Sequence, residues 1–121
     1  MTTSHITRID ENDTPVLSPT GDFDIANVDI LRTTILDALN DHNKVVLDLS
    51  RTTFLDSMGL GAIVGAARRA RENGGWLRLV NPQANVRKAL AITELDKVIG
   101  LYDTAAQAIN HNETDEVALG L

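Results

Sequence analysis

The residues best placed to do chemistry in this chain form one short run, Asp56-Ser57-Met58-Gly59, set where an extended segment gives way to a helical one. A serine at such a junction has two uses. Its hydroxyl can cap the helix by accepting from a backbone N–H of the first turn, and that alone would explain it. The same position also exposes the hydroxyl, and it points the helix's unpaired N–H groups and partial positive charge at anything attached there. A phosphate ester on Ser57 would then meet a ready anion site. It would bring about −1.5 to −2 charges beside Asp56, with Asp22 and Asp24 as further acids. Those acids oppose the new charge, so phosphorylation is expected to alter a binding surface more than it locks a structure.

Competing chemistries find less support. A serine nucleophile on a strand–turn–helix elbow wants a glycine two residues earlier, and residue 55 is Leu. It also needs a histidine base. His5, His42 and His111 fall near the start, at an expected helix end and in the C-terminal stretch, none in a loop that obviously converges on Ser57. Asp22, Asp24 and Asp56 stand at expected strand ends, loosely like a magnesium pocket in other α/β phosphoacceptor proteins. They show no recognised coordination spacing, and most such acids are caps and turn formers. No glycine-rich nucleotide motif occurs. Cysteine is absent, which excludes disulfide frameworks and thiolate metal sites. Neither a metal nor a cofactor is expected.

The elements that position Ser57 follow from periodicity. His5–Ile9 and Pro15–Ser18, on either side of the polar Asp10–Thr14 turn, predict an opening hairpin. Gly21-Asp-Phe-Asp24 leads into a helix whose apolar face is Val28, Leu31, Ile35 and Leu39, with Asp24 or Asn27 as its cap. Val45–Leu49 reads as a buried strand. After Phe54–Leu60, the spacing of Leu60, Ile63, Val64, Ala67 and Arg71 predicts a second helix, ended by Asn73-Gly-Gly75. Trp76–Val80 is the next strand, with Trp76 as a core anchor, and Asn81-Pro82 breaks it. Ala84–Ala91 predicts a short helix, Lys97–Leu101 a short strand and Thr104–Ile109 a last helix. Strands alternating with helices imply parallel pairing through crossovers, hence an α/β architecture with a mixed sheet.

The helix after Ser57 carries a second signal. Gly61 and Gly65 share one face beside Ala62 and Ala66, and each glycine costs about 1 kcal/mol of helix propensity relative to alanine. Close packing is the simpler compensation. A flat surface on which a partner docks beside Ser57 is the sharper one. Arg68, Arg69 and Arg71, and the pair Arg87-Lys88, read as solvated faces.

Composition sets the outer bounds. At 121 residues and 43% apolar content the chain suits one core. A net charge of −6 makes a poor phosphate-backbone binder and suits a protein partner with a basic face. Few aromatic residues argue against base stacking. The first residues lack an apolar signal region and no later run is long enough to span a bilayer, so a cytoplasmic location without membrane contact is expected. One domain is expected over residues 1–110, with 111–121 as a flexible acidic tail.

These motifs resemble STAS-domain proteins of the anti-sigma factor antagonist (anti-anti-sigma factor) type. The markers are Gly21-Asp-Phe-Asp24, Val45-Val-Leu-Asp-Leu-Ser50, Phe54-Leu-Asp-Ser-Met-Gly-Leu60 and Asn73-Gly-Gly-Trp-Leu-Arg-Leu-Val80. Family members commonly carry Glu at the place of Asp22, and Leu17-Ser-Pro-Thr20 is less regular than the usual second strand. The resemblance implies a single-domain α/β fold, a mixed sheet of about four to five strands with four helices. It also implies a switch. The unmodified protein binds an anti-sigma factor, a serine kinase with a histidine-kinase-like ATPase fold, and so frees a sigma factor. That kinase phosphorylates Ser57, and a PP2C-type phosphatase restores the free form. Carried onto this chain, the partner-binding residues are Asp22, Asp24, Asp56, Ser57, Met58, Gly59, Gly61 and Ala62. The protein itself would catalyse nothing, since the kinase brings the ATP. The alternative is a constitutive STAS scaffold subunit of a larger regulatory or transport assembly, not switched at serine.

Overall fold

The computed structural model describes residues 4–111. The chain opens with a hairpin, β1 (His5–Glu11) and β2 (Thr14–Phe23), turned at Asn12 and Asp13. Both turn residues have positive φ, 52° and 63°, which matches the twist of the flanking strands and which Asn and Asp tolerate. Then follow α1 (Val28–Asp41), β3 (Lys44–Asp48), β4 (Thr52–Leu55), α2 (Ser57–Glu72), β5 (Trp76–Val80), α3 (Ala84–Ile92), a 3-10 turn at Leu95–Lys97, β6 (Leu101–Tyr102) and α4 (Ala105–Asn110).

The sheet has six strands, not the expected four to five, in the order β1-β2-β3-β5-β6, with β4 paired to β2 off that path. Only β1 and β2 are antiparallel. The additional strand is β4. Its burial alternates in neither period, and it has no apolar run to announce it. It exists because the far end of β2 leaves β3 and takes a second partner. β2 pairs with β3 at Val16 and Leu17, and with β4 from Gly21 to Phe23. Pro19 falls between the two pairings, where no ladder bond is required on that side, which is how the strand runs through its proline. Gly21 makes the change of partner with φ 98°, a conformation that disfavours side chains, and Ser4 Oγ would lie 3.1 Å from an added Cβ.

The expected strand over Lys97–Leu101 is corrected as well. Glu94 takes a left-handed φ of 61° and starts the 3-10 turn, Ile99 sinks into the core, and β6 begins only at Leu101.

One face of the sheet holds the main core. Leu17, Phe23, Val45, Leu47 and Leu79 meet Leu31 and Ile35 of α1 and Ile63 and Ala66 of α2. The other face holds a smaller cluster of Val16, Val46, Trp76 and Val80, covered by Ala108 of α4. Trp76 is buried as expected. Arg78 was not: it is 1% exposed, with its guanidinium 4.0 Å from the Trp76 ring centroid and one nitrogen donating to Ala108 O at 2.7 Å. Among the described residues no helix is long and apolar enough to cross a membrane. Of the tail expected over 111–121, residues 112–121 lie outside the described residues.

Candidate functional site

The parallel pairing of β2 with β4 builds the site. Asp22 sits opposite Phe54 and Phe23 opposite Leu55. One residue on, the Asp56 N–H donates to Phe23 O at 3.2 Å, so the start of α2 is tied to the end of β2. Asp56 leaves the strand with extended φ and ψ, and its carboxylate turns back over the helix end. One oxygen accepts from Met58 N at 2.9 Å and from Gly59 N at 3.0 Å.

The N-cap is therefore Asp56, not Ser57. Ser57 is the first helical residue and its side chain is exposed. The serine expected to cap the helix is spared that task because an aspartate one position earlier has the backbone angles a cap needs. The anion site expected for a phosphate is likewise already held by the Asp56 carboxylate.

Gly59 explains itself by contact. A Cβ there would lie 2.8 Å from Leu55 Cδ2 and 3.4 Å from Phe23 O, so the helix can approach the strands this closely only with glycine. Gly61 and Gly65 behave differently. Both are exposed, and an added Cβ would meet nothing within 4 Å. Close packing among the described residues does not account for them, and they leave a bare strip on the outer side of α2. Ala62 turns inward at 5% exposure. Gly59 and Ala62 therefore shape the surface from beneath, while Ser57, Met58 and Gly61 form it.

The loop from β2 to α1 lies alongside. Asp22 is exposed, and its carboxylate accepts the hydroxyl proton of Thr53 on β4. Its main-chain oxygen accepts from Ser4 Oγ at 2.7 Å and from Asn27 Nδ2 at 2.8 Å. Asn27 Oδ1 in turn accepts from Asp24 N at 2.8 Å. Asn27 thus stands at the cap position of α1 but braces the loop, making no side-chain cap bond to the helix. Asp24 directs its carboxylate to its own loop, accepting from Ala26 N at 2.9 Å. Asn85 of α3 closes the array from the other side by donating to Thr53 O at 2.6 Å.

Three large apolar side chains stand in solvent on the segments flanking Ser57: Ile25 at 75% exposure, Phe54 at 46% and Met58 at 42%. Sequence reasoning named Met58 and missed the other two. Ile25 is a lone apolar residue in a polar loop, and Phe54 alternates with the buried Leu55, so both left a faint signal. A surface of apolar side chains rimmed by Asp22, Asp24 and Asp56 suits protein docking. His5, at the start of β1, pairs with Thr20 beside the loop, and the other two histidines lie elsewhere. His42 ends α1, about 20 Å along its axis from the end near the site, and His111 packs its ring against Tyr102 beyond α4. Among the described residues no group of three or more His, Asp or Glu could hold a metal ion.

The site has relatives. The profile described as the STAS domain matches residues 5–108. A candidate anti-sigma factor antagonist of Thermotoga neapolitana is 38% identical over 53 residues, covering 44% of this chain and 47% of its own. The chain thus matches the curated relatives over about half of their length. The crystal structure of a candidate anti-sigma factor antagonist from Thermotoga maritima aligns with a TM-score of 0.80 at 31% identity, over 86% of this chain and 91% of that one. SpoIIAA, a Bacillus cell fate determinant, aligns in its unphosphorylated form with a TM-score of 0.73 at 24% identity, over 89% and 94% of the two chains. At that identity the likeness speaks for the fold.

Proposed function

Because this chain belongs to the STAS domain family, we propose that it acts in the cytoplasm as an anti-sigma factor antagonist whose switch is Ser57. The unphosphorylated form binds an anti-sigma factor that is also a serine kinase, and the sigma factor is released. Phosphorylation of Ser57 ends that binding, and a PP2C-type phosphatase restores it. The protein is the substrate of this chemistry and catalyses none of it.

One observation carries the reading. Ser57 is exposed at the first position of α2, while the N–H groups of Met58 and Gly59 that could welcome an anion are held by Asp56. A phosphate on Ser57 therefore has no vacant cap to fold into. It stays on the surface beside Asp56 and among Ile25, Phe54 and Met58, and adds about two negative charges where a partner would bury apolar area. Removing such a charge from water without a partner is expensive. The fold, meanwhile, keeps its cap. Phosphorylation thus acts on binding and leaves stability nearly unchanged. The candidate antagonists among its relatives support this direction, as does a fold shared with a protein known in phosphorylated and unphosphorylated forms.

The test is incubation with the cognate anti-sigma factor and ATP, followed by intact-mass and fragment spectra. A single phosphate on Ser57 is expected, with none on Ser57→Ala. In titration calorimetry Ser57→Ala should bind the anti-sigma factor like the unmodified chain, and Ser57→Asp about 100-fold more weakly, a loss of ~2.7 kcal/mol. Modification at another residue, or equal affinities for the two variants, overturns the reading.

A further inference from the structure

Residues three and four apart share a face of a helix, so Ser57, Gly61, Val64, Arg68 and Arg71 follow one another down the outer side of α2. At the far end of that side lies a cavity of about 460 Å³. Its walls are Val64, Ala67, Arg68 and Arg71 of α2, with Val98 and Ile99 from the segment after the 3-10 turn. Ala67 and Ile99 are buried and make an apolar floor, and Val98 stands 47% exposed at its edge. The volume falls in the range of sites that enclose a side chain or small ligand.

The rim has the opposite charge to the molecule. The chain carries −6 overall, yet Arg68 and Arg71 border this groove against one acid, Glu72. Arg71 is held in place: its guanidinium donates to Val98 O at 2.7 Å, across the opening. A guanidinium has five N–H donors, so this bond orients the group and leaves others to receive a carboxylate. On the side toward Ser57, Gly61 and Gly65 project no side chain, and among the described residues an added Cβ at either would meet nothing within 4 Å.

We propose that this groove docks an acidic, aliphatic segment of a partner protein. Carboxylates of the segment pair with Arg68 and Arg71 in the forked geometry that guanidinium favours, and a leucine-sized side chain lies on Val64, Ala67, Val98 and Ile99. The groove goes beyond the phosphoacceptor reading and does not depend on it. Arg68 is eleven residues from Ser57, or ~16 Å along the helix, and at ordinary salt a charge on Ser57 is largely screened at that range. The surface at Ser57 is acidic and apolar and this one is basic and apolar, so a partner engaging both carries opposite charge at its two contact points.

The experiment uses the full chain labelled with nitrogen-15 and titrated at about 0.15 M salt, where the Ser57 charge is screened, with a short synthetic peptide alternating glutamate and leucine. Amide shifts are expected at Val64, Ala67, Arg68, Val98 and Ile99, and none from the same peptide with lysine in place of glutamate. Arg68→Glu should weaken binding about tenfold or more, and Arg68→Gln by less, with the rest of the spectrum unchanged. Ser57→Asp should leave it unaltered, so a failure here and a failure of the Ser57 switch are read separately. Shifts mapping to another surface, an equal response to the lysine peptide, or no effect of Arg68→Glu would each overturn the proposal. Self-association abolished by Arg68→Glu would assign the groove to a second copy of the chain and overturn it too.

Discussion

The two faces of the sheet are held by different means. Beneath α1 and α2 the core is apolar and deep, and Phe23, Leu31, Ile35, Ile63 and Leu79 are wholly buried in it. Beneath α4 the layer is thin, and its largest fully buried side chain is a cation, Arg78, lying on Trp76 and donating to the Ala108 and His111 carbonyls. The Ser57 surface is built on the first face. That placement matters, because a helix anchored by Ile63, Ala66 and Ala70 along its inner side can leave Met58, Gly61 and Gly65 to solvent without losing its position. The second face depends on directed contacts, and these fail singly where an apolar core yields gradually.

Substitutions can break this contrast, beginning with the largest effect. Phe23→Ala should cost about 3–5 kcal/mol in urea unfolding, because its ring fills the deep core where its own carbonyl anchors Asp56. Arg78→Met should cost about 1–3 kcal/mol, since methionine fills much of the space but leaves the α4 carbonyls without their donor and the Trp76 face without its cation. A loss for Arg78→Met equal to that of Phe23→Ala would erase the distinction between the faces.

Asp56→Ala should cost about 1 kcal/mol, the usual worth of a helix N-cap. It also frees the N–H groups of Met58 and Gly59, so phosphorylation of Ser57 should stabilise the Asp56→Ala chain while leaving the parent nearly unchanged. Thermal unfolding of both chains with and without the phosphate checks this. Ser57→Ala should change stability by less than about 0.5 kcal/mol, as expected of a surface substitution. A cost matching that of Asp56→Ala would return the cap to the serine.

The smallest effect is a pH dependence at the rim. The hydrogen bond from Arg8 holds the Asp10 carboxyl below the usual carboxylate range, and the same bond raises Arg8. A carboxyl whose folded pKa is depressed adds stability above its unfolded pKa and loses it as pH falls through the folded one. Both groups are open to solvent, so Asp10→Asn should flatten this acid-side slope slightly and lower neutral-pH stability by an equally slight amount.

Much of the fold was legible because it is written in short-range pattern. The apolar stripe of α1, the spacing of α2 and the run Trp76–Val80 each commit to one period, and each forms the element expected of it. β4 was not legible, since four residues of mixed character become a strand only when β2 supplies the edge. Arg78 was hidden for a related reason. An arginine within an apolar strand reads as a surface residue until the indole beneath it and the helix carbonyls beyond it are in place.

The local order Asp56-Ser57-Met58-Gly59 before a helical stripe was enough, by itself, to place a serine at a helix start and to mark it for the chemistry considered above. Only the tertiary structure decided what that serine does there. Pairing of β4 with β2 sets the backbone angles of Asp56, and those angles give the cap to the aspartate and leave the Ser57 hydroxyl in solvent. The same pairing brings Asp22 and Ile25, more than thirty residues away in sequence, to its side. Periodicity records which way a side chain faces along its own element. Which group holds a helix end is settled by contacts between elements, and no local pattern encodes those.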